Sequence, residues 1–268
     1  MTTGVFARDT AVAGMGEGRF AAHIRENWDI GGKANGGYLL AIAARAIAEE
    51  TGRPDPVTIT AHYLSPGAVG EVGVQVQVLK HGRRFVVASA SLNAAGLPLL
   101  QVLGTFGDLS PVGEVFERIE AAPPQLPSPD DCIRQDPSRG APRIFGSMDL
   151  RLHPEDAGFL SGQPSGLMRT RGWFRLQDDE PVDTLALLLA ADAFPPTAFN
   201  ARLPVAWTPT VELTVHMRAR PARGWLRACF STRFVSAGFL EEDGEVWDSD
   251  GRLVAQSRQL ALLPRGAG

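Results

Sequence analysis

Between Glu71 and Leu79 apolar and polar positions alternate strictly, with Val72, Val74, Val76 and Val78 on one side and Glu71, Gly73, Gln75 and Gln77 on the other. A period of two predicts a strand with one buried face. His81-Gly82 and Ala95-Gly96 turn the chain, which predicts strands over 83–93 and 97–106 after earlier ones over 19–24 and 57–63. Residues 38–48 break this pattern. They are apolar nearly all round, which predicts a helix buried on every side. Asn35 stands where it can cap that helix, and Gly36 and Gly37 permit close backbone approach.

The same plan returns in the second half. Strands are predicted over 148–152, 170–176, 211–217, 225–235, 241–248 and 253–263, with a hairpin turn at Asp250-Gly251. A second helix, apolar all round except for Asp192, is predicted over 184–193, stopped by Pro195 and Pro196. Leu40–Ile47 aligns with Leu187–Phe194, Ile59–Leu64 with Leu213–Arg218, and Gly96–Gln101 with Gly251–Gln256, at offsets of 147, 154 and 155 residues. Three collinear matches with slowly growing offset indicate a duplicated unit. The expectation is an α+β protein with two antiparallel sheets, each wrapping one helix. Its organisation is a first unit over 1–108, a Pro-rich linker over 109–144 and a second unit over 145–268. The linker contains Pro111, Pro123, Pro124, Pro127, Pro129, Pro137 and Pro142 and has no periodicity.

Composition narrows the class. The chain has 268 residues, 44% of them hydrophobic, and a net charge of −4 with acids and bases intermixed. No basic stripe points to nucleic acid. All but two of the 26 basic residues are arginine, the exceptions being Lys33 and Lys80. Cys132 and Cys229 form neither a disulfide framework nor a metal-ligand spacing. The N-terminal segment lacks an apolar signal core, and the helix over 184–193 is too short to span a bilayer. A cytoplasmic protein without membrane insertion is expected.

Asp192 is the one charge in the second apolar helix. A buried carboxylate is costly to ionise, and the C-terminal end of a helix disfavours negative charge. Both effects raise its pKa toward the range of a general base. A carboxylate there also suits a loop cap or an arginine partner, and the pattern leaves both readings open.

With the duplicated plan, these residues resemble the double-hotdog acyl-CoA thioesterases of the thioesterase II type. In the first half the resemblance rests on Asn35–Leu40, on His62-Tyr-Leu-Ser-Pro66 and on Leu79–Arg84. In the second it rests on Ala190-Ala-Asp192, on Thr210-Val-Glu212 and on the run Leu253-Val-Ala-Gln-Ser-Arg-Gln259. Leu213 departs from the family's frequent histidine. The resemblance implies hydrolysis of acyl-CoA to free acid and CoA by direct attack of water. Asp192 would activate the water, and Thr210 and Gln259 would orient it. No Gly-x-Ser-x-Gly elbow supplies a nucleophile. Gln256 competes with Gln259, and the spacing after Leu-Val-Ala favours Gln259. Asn35, Gly36 and Gly37 at a helix N-terminus are the expected oxyanion and substrate donors.

Neither a metal nor a cofactor is implied, coenzyme A being part of the substrate. Arg83, Arg84, Arg218 and Arg220 are candidates for its phosphates, and Trp28 and Trp207 for walls of an acyl pocket. The first-half counterparts of Asp192, Thr210 and Gln259 are Arg45, Pro56 and Gly104, so one active site per chain is expected. An Asp192–Arg45 ion pair would argue against a base. The competing function is a non-catalytic acyl-CoA or acyl-lipid binding protein. A hotdog dehydratase ranks last, because neither helix starts with the Asp and His it would need. Exposed meander edges suggest a homodimer.

Overall fold

The computed structural model describes residues 4–110, 116–201, 203 and 205–263; Pro111 of the Pro-rich segment lies outside them. The first half runs α1 (Val5–Asp9), β1 (Ala13–Gly16), β2 (Arg19–Ile24), β3 (Asp29–Ile30), β4 (Lys33–Ala34), α2 (Gly36–Thr51), β5 (Asp55–Tyr63), β6 (Gly70–His81), β7 (Val86–Ala94) and β8 (Leu97–Gly107). The second runs β9 (Ile133–Arg134), β10 (Met148–Leu152), β11 (Arg169–Leu176), α3 (Ala186–Ala190), β12 (Thr210–Met217), β13 (Leu226–Ser231), β14 (Val235–Ser236), β15 (Phe239–Trp247) and β16 (Leu253–Leu262).

Helix α2 forms where the apolar run predicts. Asn35 caps it by accepting from the Tyr38 N–H, and Gly52 ends it with φ 64°, a left-handed conformation that suits glycine. Leu40, Ile42 and Ile47 are fully buried, and Ala41, Ala43, Ala44 and Ala46 let the sheet approach closely. The helix lies on β5–β8 on one side and against α3 on the other. Helix α3 is shorter than the predicted 184–193. Its chain turns out after Ala191, ahead of Pro195 and Pro196.

The two expected sheets are one. Fourteen strands run in a single sheet in the order β1-β2-β6-β7-β8-β5-β12-β16-β15-β13-β11-β10-β9, with β14 on β15. The halves meet where β5 pairs antiparallel with β12, satisfying two edges that would otherwise be open. Thr60 faces Thr214 in this register, and their hydroxyls lie 2.8 Å apart. These two residues are equivalents in the duplicated sequence, so a pseudo-two-fold axis passes between them. A bulge between Pro56 and Thr58 on β5 recurs between Thr210 and Glu212 on β12, again at equivalent positions. The result is the double hotdog, two helices held in one curled sheet.

Part of the Pro-rich segment is built into the second half. β9 pairs with β10, and short 3₁₀ turns occupy Pro137–Arg139 and Arg143–Gly146. The Trp173 indole holds this segment through Nε1 to the Pro127 carbonyl at 2.9 Å.

Candidate active site

The pseudo-two-fold axis sets the end of α3 against the start of α2. Asp192 therefore meets the N-terminus of the other half's helix. Its Oδ2 accepts from the Gly37 N–H at 2.8 Å and from Asn35 Nδ2 at 2.9 Å. Asn35 Nδ2 also donates to the Asp192 carbonyl at 3.0 Å, while its Oδ1 caps Tyr38. The glycines matter because of this approach. A Cβ on Gly37 would lie 2.5 Å from the Leu188 carbonyl, and one on Gly36 would lie 3.0 Å from Asp192 Oδ2.

Burial raises the Asp192 pKa to about 6, against the opposing pull of the Gly37 N–H, the Asn35 amide and the Gly36 N–H. No salt bridge to Asp192 occurs among the described residues. Arg45 is engaged elsewhere, its Nε donating to Thr10 Oγ1 at 3.1 Å. Of the expected oxyanion donors, the Gly37 N–H and the Asn35 amide are thus directed at the Asp192 carboxylate.

Thr210 opens β12 at the bulge, and Gln259 lies on the neighbouring β16. Gln259 Nε2 donates to Thr210 Oγ1 at 2.8 Å. Gln256 points to the other face of the strand, where its Oε1 accepts from Arg218 at 2.7 and 2.8 Å. Asp192, Thr210 and Gln259 line one cavity of about 850 Å³. Phe145, Phe159, Phe194, Phe199 and Trp207 supply its apolar walls.

Two acidic or phenolic groups on this cavity escape a sequence reading. Glu242 on β15 faces Gln259 across the ladder, and its Oε2 accepts from the Thr197 N–H at 2.8 Å. Burial raises it to about 7 against that bond. Nothing in the Glu241-Glu242 pair of the sequence marks it out. Tyr63 ends β5, with its ring over Gly36, and its motif position hinted only at a strand end.

Trp28 is not an acyl wall. It is fully buried, stacks on Tyr38 at 5.1 Å between ring centroids and donates to Asp9. Trp207 does line the cavity, with Lys33 Nζ 4.4 Å above its ring. Lys33, Arg134 and Arg139 are the cations of the described lining; Arg83, Arg84, Arg218 and Arg220 are not among them. Arg220 instead binds Asp55 and Asp108.

The fold and sequence can be placed among known proteins. Residues 24–107 match the model for the acyl-CoA thioesterase N-terminal domain, and residues 120–263 match that for the C-terminal domain. The chain belongs to the acyl-CoA thioesterase family. As an enzyme it is a thioester hydrolase. A candidate thioesterase II from Thermobifida fusca YX is 31% identical, with 99% of each chain covered and a TM-score of 0.89. An uncharacterised protein of Mycobacterium tuberculosis (H37Rv) is 28% identical over 91% of each chain. The acyl-CoA thioesterase II of Mycobacterium marinum shares the fold at 18% identity, with a TM-score of 0.75 over 98% of this thioesterase and 100% of that one. No helix of the described residues is long and apolar enough to cross a membrane.

Proposed function

We propose that this thioesterase hydrolyses acyl-CoA to the free acid and CoA, with Asp192 as the base that activates water. One observation carries the reading: Asp192 is a buried carboxylate without a cationic partner among the described residues, facing a cavity it shares with Thr210 and Gln259. A carboxylate in that setting holds a proton more readily than one in water and still ionises near neutrality.

Thr210 Oγ1 accepts from Gln259, which leaves its own O–H free to donate and Gln259 Oε1 free to accept. The pair holds the water, and Asp192 takes its proton. The hydroxide adds to the thioester carbon, the C–S bond breaks, and the CoA sulfur leaves with the proton that Asp192 carries. The aromatic walls take the acyl chain. Lys33, Arg134 and Arg139 on the lining suit the phosphates of CoA.

Free-thiol release from acyl-CoAs of increasing chain length tests this. Asp192→Asn keeps the shape but not the basicity, and kcat is expected to fall about 10²–10⁴-fold. Equal turnover by the variant, with its fold intact by circular dichroism, sinks the assignment of the base.

A further inference from the structure

Attack on a thioester pushes negative charge onto the carbonyl oxygen, which needs a donor held ready for it. The helix N-terminus that appeared suited to this task already serves Asp192. The Thr210 O–H is taken up by the water in the reading above, which leaves one further donor at this corner. The Tyr63 hydroxyl is buried and has no hydrogen-bond partner among the described residues. Buried polar groups are seldom left so, and an orphan at a reactive centre calls for an absent partner.

Tyr63 stands in the right place. It is the last residue of β5, beside the bulged start of β12 that carries Thr210. It lines the same cavity as Asp192 and Gln259. The point where a Gly36 Cβ would sit is 2.9 Å from Tyr63 Cζ and 3.0 Å from Asp192 Oδ2. The missing side chain at Gly36 is what lets the phenol and the carboxylate share this corner. Burial first, then the charges of Asp192 and Glu212, hold the pKa of the phenol well above the ordinary tyrosine value, so it stays an O–H donor.

We propose that Tyr63 is a catalytic residue whose hydroxyl donates to the thioester oxygen and to the oxyanion that develops on it. The proposal rests on the hydrolytic reading above. It also assigns the first half a chemical role of its own: that half supplies the oxyanion donor, and the second half supplies the base.

Tyr63→Phe tests it, because the ring that packs on Gly36 is kept. The variant is expected to lose about 10²-fold in kcat with little change in KM. Its affinity for a ketone analogue of acyl-CoA is expected to fall about tenfold, while affinity for the thioether analogue, which has no carbonyl, stays unchanged. A purely structural tyrosine would shift the melting temperature and leave the ketone-to-thioether ratio alone. A kcat within about twofold of wild type, or equal loss of both analogues, overturns the proposal. Asp192→Asn run in parallel separates the two readings. An inactive Asp192→Asn beside a fully active Tyr63→Phe removes the phenol only, whereas an active Asp192→Asn removes the base.

Discussion

At the scale of single residues, Asp192 is governed by a balance. Burial lifts its pKa to about 6, and the Gly37 N–H, the Asn35 amide and the Gly36 N–H keep it from rising further. A base works in its ionised form, so kcat/KM is expected to climb with pH through about 6 and level off above it. Asn35→Asp makes the balance visible. The new carboxylate can still cap Tyr38, but it sets a like charge where an amide now donates to Asp192 at 2.9 Å. Like charges disfavour ionisation, so the limb should move up by about one pH unit or more. A pH–rate profile with the limb unmoved would mean that Asp192 is not the titrating group. The sequence shows Asp192 as a buried acid, and it shows Asn35 as a cap. That the two touch is invisible there, because 157 residues separate them.

Between elements, the decisive contact is the crossing of α2 and α3. Gly37 sits where the Leu188 carbonyl, Asp192 Cβ and Leu189 Cα would lie 2.5, 2.9 and 3.0 Å from an added Cβ. Two of those atoms are backbone, so relief requires the helices to part. Gly37→Ala is expected to cost about 1–3 kcal/mol in stability and to displace Asp192 from its donors, with loss of activity. Gly73→Ala is the control, since nothing lies within 4 Å of its added Cβ and its backbone is ordinary. Thermal melts of the two variants check this; equal melting temperatures would show that the crossing tolerates a methyl group. The elements themselves were largely legible. Alternation located β6, and the apolar run located α2, each within a few residues. α3 came out shorter than predicted because periodicity does not tell a helical turn from the turn that follows it. The strand predicted over 225–235 stops at Ser231 and resumes only as the short β14.

Over the whole molecule, the two duplicated halves differ at their equivalent corners. The axis between Thr60 and Thr214 relates two corners of one continuous sheet. One corner gathers Asn35, Gly37 and Tyr63 from the first half and Asp192, Thr210 and Gln259 from the second. The other holds Arg45 beside Asp183–Leu185, with Pro56 and Gly104 at the remaining equivalent positions. Phe106 and Ile59 fill the space above Gly104. At the positions equivalent to Asp192, Thr210 and Gln259 it therefore carries Arg45, Pro56 and Gly104, none of which can do the same work. Titration with a non-hydrolysable thioether analogue of acyl-CoA, followed by calorimetry, is expected to give one site per chain. Two equivalent sites would mean that the second corner still binds substrate.

The sequence by itself determined the local structure, the doubling and the residue types of the candidate site. These follow from patterns that adjacent residues carry: period-two strands, apolar helices, turns and a repeat with a steady offset. Tertiary structure alone decided which groups meet. Pairing of β5 with β12 merged two expected sheets into one, because open strand edges bond to each other when they can. It set the Gly37 N–H and the Asn35 amide on Asp192, and it left the Tyr63 hydroxyl beside them without a partner among the described residues. Hydrogen-bond donors are spent on whatever lies within 3 Å, and proximity between the two halves is a property of the fold, not of the order of residues.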